Sequence, residues 1–236
     1  MDGLLSVNPV QCGVILLAGI VHASLQLELG ALLLLYHASL GKHIKRRTKD
    51  LVSNYILGSA MLVILFVSTI IFLISSVSYT SLSTESIAVL AAVLLLLAVL
   101  IWLFYYRSRQ TTELWLPKSI ARYINKRAKL TDSNIEAFSL GMLTAFSEMP
   151  FSFVLMVLAA DAIVLMPFEI QFLVVLVYAF ISVLPLFILR FFIKRGSTVV
   201  DIQKWRMKNR NFFKVLSGTL FLTLAIFVIA FRVLGA

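Results

Sequence analysis

The sequence predicts an all-α integral membrane protein, with six transmembrane helices arranged as a 3+3 inverted repeat and both termini non-cytoplasmic. Three observations predict it. Of 236 residues, 61% are apolar and 14% charged, against about 45–50% and about 25% in a soluble domain, and the mean hydropathy is +0.99. The apolar residues gather in six long runs, and the basic residues gather in alternate connections between them. These features exclude an ordinary soluble enzyme, a disordered chain and a disulfide-stapled module. Cys12 is the one cysteine and makes neither an internal disulfide nor a CxxC pair.

A helix crossing the roughly 30 Å hydrocarbon core needs about 20 mostly apolar residues. Span one covers residues 12–40, span two 53–76, span three 86–106, span four 135–160, span five 170–193 and span six 212–234. Strands do not fit. Residues 88–102 are apolar on every face, whereas a barrel strand alternates over about 10 residues. The chain is one transmembrane domain, with repeat one at 12–106, a linker at 107–134 and repeat two at 135–234.

The connections sort by charge. Residues 41–52 carry Lys42, Lys45, Arg46, Arg47 and Lys49, and residues 107–134 carry Arg107, Arg109, Lys118, Arg122, Lys126, Arg127 and Lys129. The connection after span five carries Lys194, Arg195, Lys204, Arg206, Lys208 and Arg210, with Arg190 and Lys214 just inside the flanking spans. Residues 77–85 and 161–169 carry none, so of 21 Lys and Arg only Arg232 lies on the other side. Lys and Arg are retained in the cytoplasm, which places both termini outside it. The net charge of +10 is then explained without a nucleic-acid partner. Residues 1–11 include Asp2, have no basic n-region and lead into a long span, so no cleaved secretory signal is expected.

Within the linker, Ile120, Tyr123, Ile124 and Ala128 share one helical face and Lys118, Arg122, Lys126 and Lys129 line the opposite one, after Trp115 and Leu116. This pattern predicts a helix lying on the cytoplasmic leaflet. It serves either as a topology anchor or as a surface for anionic lipid. Residues 199–209, with Ile202 and Trp205, repeat the pattern more weakly.

A constant shift of 122 brings the two triplets of spans into register and pairs Gly19 with Gly141, Ala23 with Ala145, Leu33 with Leu155 and Ala38 with Ala160. Each half has three spans, so the second half enters the membrane from the opposite side. That is the inverted-repeat plan in which alternating access arises by exchange of two similar conformations.

Spans one and four differ from the rest in carrying polar groups at mid-span. Span one reads GIVHASLQLELG over residues 19–30, holding His22, Ser24, Gln26 and Glu28. His22, Gln26 and Gly30 share a face, whereas Ser24 and Glu28 lie well over 90° away. Convergence of all four therefore needs a helix break. Span four reads GMLTAFSEMPFS over residues 141–152, where Thr144, Ser147, Glu148 and Ser152 form one stripe. Pro150 cannot donate to the carbonyl of Phe146, which is expected to be left for a neighbour, water or an ion. An intramembrane carboxylate costs roughly 2.5–3.5 kcal/mol on insertion scales and is a functional-site hypothesis by default. Glu28 and Glu148 are the expected binding groups for a substrate or coupling ion, with His22, Gln26, Thr144 and Ser147 completing the site. Gly30 and Pro150 are the expected helix breaks. Small residues such as Gly58, Ser59 and Ala60 are expected to permit close helix contact, and Pro185 to kink span five. No nucleotide loop, HExxH or GxSxG motif occurs, so no enzyme and no cofactor is expected.

Six spans in a 3+3 arrangement, with polar, helix-breaking motifs at residues 19–30 and 141–152, resemble the LysE superfamily. That group includes small-solute exporters, TerC- and MntP-like metal-ion branches and CcdA/DsbD-like thiol-redox carriers. The resemblance implies a secondary transporter or exporter of a small solute or metal cation in a prokaryotic plasma membrane. It assigns no branch and leaves metal ligands unknown. A redox carrier of this layout carries a cysteine in the first helix of each half, and span four has none. The other class left open is a non-transporting scaffold or assembly subunit. Expected partners are the lipid bilayer, anionic lipid at the cytoplasmic face and a small-molecule or ion substrate, and a homodimer is one assembly this reading allows.

Overall fold

The computed structural model describes residues 8–25, 31–36, 45–78, 81–104, 118–194, 202, 204–205 and 208–235. Every regular element among the described residues is helical. The helices are α1 (Pro9–Ala23), α2 (Lys45–Ser78), α3 (Thr84–Phe104), α4 (Lys118–Leu130), α5 (Asn134–Ser147), α6 (Met149–Val164), α7 (Phe168–Lys194) and α8 (Arg210–Val228). A π-helical turn, Ile229–Val233, continues α8, and residues 31–36 are also helical. By length and composition, α2, α3, α7 and α8 with its turn can each cross a membrane, and α5 with α6 makes a fifth candidate, bent by 83° at its break. This is compatible with an integral, multi-pass membrane protein.

Of span one, the structure describes α1 and the helical residues 31–36. α1 has 15 residues, short of the about 20 a crossing needs. It ends at Ala23, and residues 31–36 are helical. Gln26, Glu28 and Gly30 lie outside the described residues, as do His37, His43, Trp115 and Leu116.

Local chemistry sets the helix ends. Asn8 caps α1 by accepting the Val10 N–H at 2.9 Å, and Pro9 opens the helix, where its missing N–H costs nothing. Ser133 caps α5 through the Glu136 N–H at 3.2 Å. Glu136 reaches back to the Asp132 N–H at 3.0 Å, a close relative of the capping box. Pro150 occupies the first turn of α6, the one place in a helix that tolerates it. α7 runs unbroken through Pro185.

The two ends of the bundle are tied by side chains. Arg47, in the first turns of α2, donates to the Asp132 carbonyl just before α5 at 2.8 Å. At the opposite end, Asp161 in α6 accepts the Leu82 N–H ahead of α3 at 2.7 Å and Arg232 of the π turn at 2.6 Å. α6 extends to Val164 and so carries Asp161 inside a helix, beyond the expected end of span four at residue 160. Those two donors are what let a carboxylate stay buried there.

Between the halves, α1 packs on α6, α7 and α8, α2 on α5, α6 and α7, and α3 on α6 and α8. The interior divides into two apolar clusters. One gathers Val14, Val67, Leu94, Leu155, Tyr178 and Phe221. The other gathers Leu33, Leu51, Tyr55, Ile124, Leu140 and Leu186. Outward faces stay apolar, with Phe72 69% and Phe172 66% exposed, which suits contact with acyl chains and not with water.

Candidate functional site

Several buried polar side chains on three spans fall where one apolar cluster gives way to the other. On α2, Ser59 lies between Ile56 of one cluster and Val63 of the other. On α7, Ser182 lies between Ala179 and Val183. On α5 and α6, Thr144, Ser147, Glu148 and Ser152 lie between Leu140 and Val154. His22 is buried on α1, one residue from its end. The result is a polar belt across the middle of the bundle.

The belt coincides with the break. Glu148 ends α5 and precedes α6, and it is 2% exposed. Its carbonyl accepts the N–H groups of Phe151 and Ser152 at 2.9 and 3.0 Å and the Ser152 hydroxyl at 3.2 Å. The expectation of a free Phe146 carbonyl is corrected. Backbone N–H groups at the cap of α5 donate to the carbonyls of Ala145 and Phe146, because the last turn tightens before Pro150 begins a new helix.

Two tyrosines cross from one half to the other. Tyr178 on α7 brings its hydroxyl to 3.1 Å from His22 Nδ1, with both side chains buried. Tyr55 on α2 brings its hydroxyl to 2.7 Å from Thr144 Oγ1. Thr144 Oγ1 also lies 3.0 and 2.9 Å from the carbonyls of Leu140 and Gly141. Either hydroxyl can be the donor in the Tyr55–Thr144 contact. Close packing underlies the second contact. A Cβ at Gly141 would overlap the Tyr55 carbonyl oxygen, and one at Gly58 would overlap that of Phe138, so α2 and α5 touch backbone to backbone. Ser59 uses that proximity to donate to the Gly141 carbonyl at 3.1 Å.

The other hydroxyls serve their own helices. Ser147 donates to the carbonyls of Leu143 and Thr144, and Ser182 to that of Ala179. Ser24 donates to Val21, while its own carbonyl accepts Ser217 of α8 at 3.2 Å. These oxygens keep lone pairs, so the belt offers acceptors and a carboxylate, a set suited to a proton or a hard cation. Among the described residues no group of three His, Cys, Asp or Glu is placed to hold a metal ion.

Four of the expected site residues, His22, Thr144, Ser147 and Glu148, thus belong to this buried belt. Tyr55, Ser59, Tyr178 and Ser182 were not expected there. A signal for them exists: YILGS at residues 55–59 and YAFIS at residues 178–182 repeat Tyr-x-x-x-Ser at a shift of 123, almost the shift that aligns spans one and four. A scan against family models and searches of curated proteins and solved structures return no match to this chain.

Proposed function

We propose that this chain is a secondary transporter, similar in plan to the LysE superfamily, that moves a small solute or cation coupled to protons through Glu148 and Glu28. The crossed tyrosine contacts carry this reading. Exchange of the halves by a shift of 122 takes His22 to position 144, and a shift of 123 takes Tyr55 to 178 and Ser59 to 182. The contact of His22 with Tyr178 thereby becomes that of Thr144 with Tyr55. The packing between halves obeys the same exchange. α1 on α7 answers the α5–α6 span on α2, α1 on α8 answers α6 on α3, and α2 on α7 and α3 on α8 answer themselves. Equivalent contacts made from opposite directions are what an inverted repeat requires. In this reading the basic end faces the cytoplasm. Protonation of the carboxylates removes charge from the belt and frees the two halves to rock about it.

The test is flux in proteoliposomes carrying an internal pH dye, with a pH gradient imposed and metal cations and amino acids supplied in turn. Coupled proton movement that disappears in Glu148→Gln and Glu28→Gln is the expected result. Flux that both variants retain overturns it.

A non-transporting membrane scaffold is the second reading. It draws on Ser59, whose hydroxyl donates to the Gly141 carbonyl across the α2–α5 contact, a use that glues helices without a ligand. Small thiol reagents separate the two. They label cysteines placed at positions 26 and 148 of a transporter and leave those of a scaffold unmodified.

A further inference from the structure

We propose that α4, with the first turns of α2, forms a rigid binding surface for the phosphodiester headgroup of an anionic phospholipid. This holds whether or not the chain transports. The sequence pattern left two uses for residues 117–130, a loose anchor or a recognition surface, and the packing of α4 separates them. Ile124 and Ala128 are 2% and 0% exposed and join the interior cluster beside Leu51 and Val52 of α2. The end of α4 is also pinned. The Thr131 hydroxyl and N–H both donate to the Arg127 carbonyl, at 2.8 and 2.9 Å, and Arg47 bonds the next residue's carbonyl. A helix whose apolar edge is locked into the bundle holds its cations in a fixed array.

Three stripes result along α4. Ile124 and Ala128 form the locked edge. Arg122, Lys126 and Lys129, at i, i+4 and i+7, share one exposed face. Between these two edges Ile120, Tyr123 and Leu130 remain 39, 53 and 51% exposed, with Arg127 among them. Arg47 and Lys49 of α2 add exposed cations near the pinned end. Charge alone would suit any polyanion. The exposed apolar stripe beside the cations decides for lipid, because an interfacial helix sinks such side chains to the acyl boundary while its cations meet phosphate. α4 packs on α5, part of the bent fifth candidate span, and shares a cluster with the start of α2, itself long and apolar enough to cross a bilayer, a position that suits the headgroup level.

The full chain, purified in neutral detergent, is titrated with phosphatidylglycerol or phosphatidylcholine. Thermal unfolding and native mass spectrometry read the bound lipid. Phosphatidylglycerol is expected to be retained and to raise the melting temperature, and phosphatidylcholine to do neither. The combined Arg122→Gln, Lys126→Gln and Lys129→Gln variant is expected to lose about 100-fold in phosphatidylglycerol affinity, at about five-fold per cation. A Lys204→Gln, Lys208→Gln variant, neutralised on the connection before α8, is expected to keep it. If the triple variant does not fold, Lys126→Gln alone carries the test with its about five-fold loss. Equal binding of the two lipids overturns the proposal, as does undiminished phosphatidylglycerol affinity in the α4 variant or an equal loss in the control. Preference for an acidic peptide over phosphatidylglycerol also overturns it and assigns the face to a protein partner.

Discussion

Arg232 sets its guanidinium 2.6 Å from Asp161 Oδ2, while Asp161 Oδ1 takes the Leu82 N–H at 2.7 Å. In the expected topology of six spans, Arg232 is the one basic residue set apart from the other 20 Lys and Arg. Its partner explains its presence there. The pair ties α6, the start of α3 and the turn after α8 at one point, with the Asp161 side chain 3% and that of Arg232 15% exposed. Breaking a buried ion pair from one side leaves an uncompensated charge and costs about 3–5 kcal/mol. Arg232→Ala is expected to fall at the lower end of that range, since its guanidinium is partly solvated. Asp161→Asn can keep the Leu82 bond, so Asp161→Ala is expected to destabilise more than Asp161→Asn. Thermal unfolding of the three variants in one detergent checks the ranking, and equal losses for Asn and Ala would refute the role given to Leu82.

Length and hydropathy made α2, α3, α7 and α8 legible, because a run of about 20 apolar residues has few other uses. Their ends were less so. α2 starts at Lys45, eight residues ahead of the expected 53, because Lys and Arg are good helix formers and a helix extending beyond the hydrocarbon keeps them in water. The break in span four sits at Glu148 and not at Pro150, for Pro150 is accommodated in the first turn of the helix that follows. The tyrosine contacts are not legible in the polar motifs of spans one and four. Tyr55 and Tyr178 read as ordinary apolar-run residues until their hydroxyls are seen to meet Thr144 and His22. Asp161 is hidden for another reason. A connection accounts for its charge, and its partner Arg232 stands seventy-one positions away in the sequence.

Gly58 and Gly141 are the tightest constraints on the packing of α2 against α5. An added methyl at either meets a backbone carbonyl, of Phe138 or of Tyr55, whereas one at Gly218 meets the Trp102 ring. A side chain can swing away and a backbone in a packed helix cannot. Overpacking costs typically about 1–3 kcal/mol. Gly58→Ala and Gly141→Ala are expected at or above the top of that range and Gly218→Ala below them, as read by denaturant unfolding. A Gly218→Ala variant as unstable as the other two would contradict the close α2–α5 approach.

Tyr55→Phe and Tyr178→Phe each remove one hydroxyl and leave the ring. Interhelical hydrogen bonds within membrane proteins contribute about 0.6 kcal/mol on average and up to about 1.7. Both variants are expected to lose stability within that range. A Tyr178→Phe, His22→Phe double-mutant cycle should return a coupling energy of the same size, as should Tyr55→Phe with Thr144→Val. Coupling in one pair and none in the other would argue against equivalent halves.

The 83° bend between α5 and α6 has two possible causes, the proline at position 150 or the packing on either side of it. Packing is the stronger cause. α5 is held against α2 by the Gly58 and Gly141 contacts, and α6 is held against α1 and, through Asp161, against the turn after α8. Pro150 lies where its ring and missing N–H disturb no established helix. Pro150→Ala is therefore expected to leave the bend in place and to change stability by about 1 kcal/mol or less. Spin labels on the exposed faces of α5 and α6, at positions 135 and 153, read the distance across the bend. A continuous helix of that length would set them about 27 Å apart. A shift of the Pro150→Ala distance to that value would assign the bend to the proline, whereas an unchanged, shorter distance assigns it to the packing of the two halves.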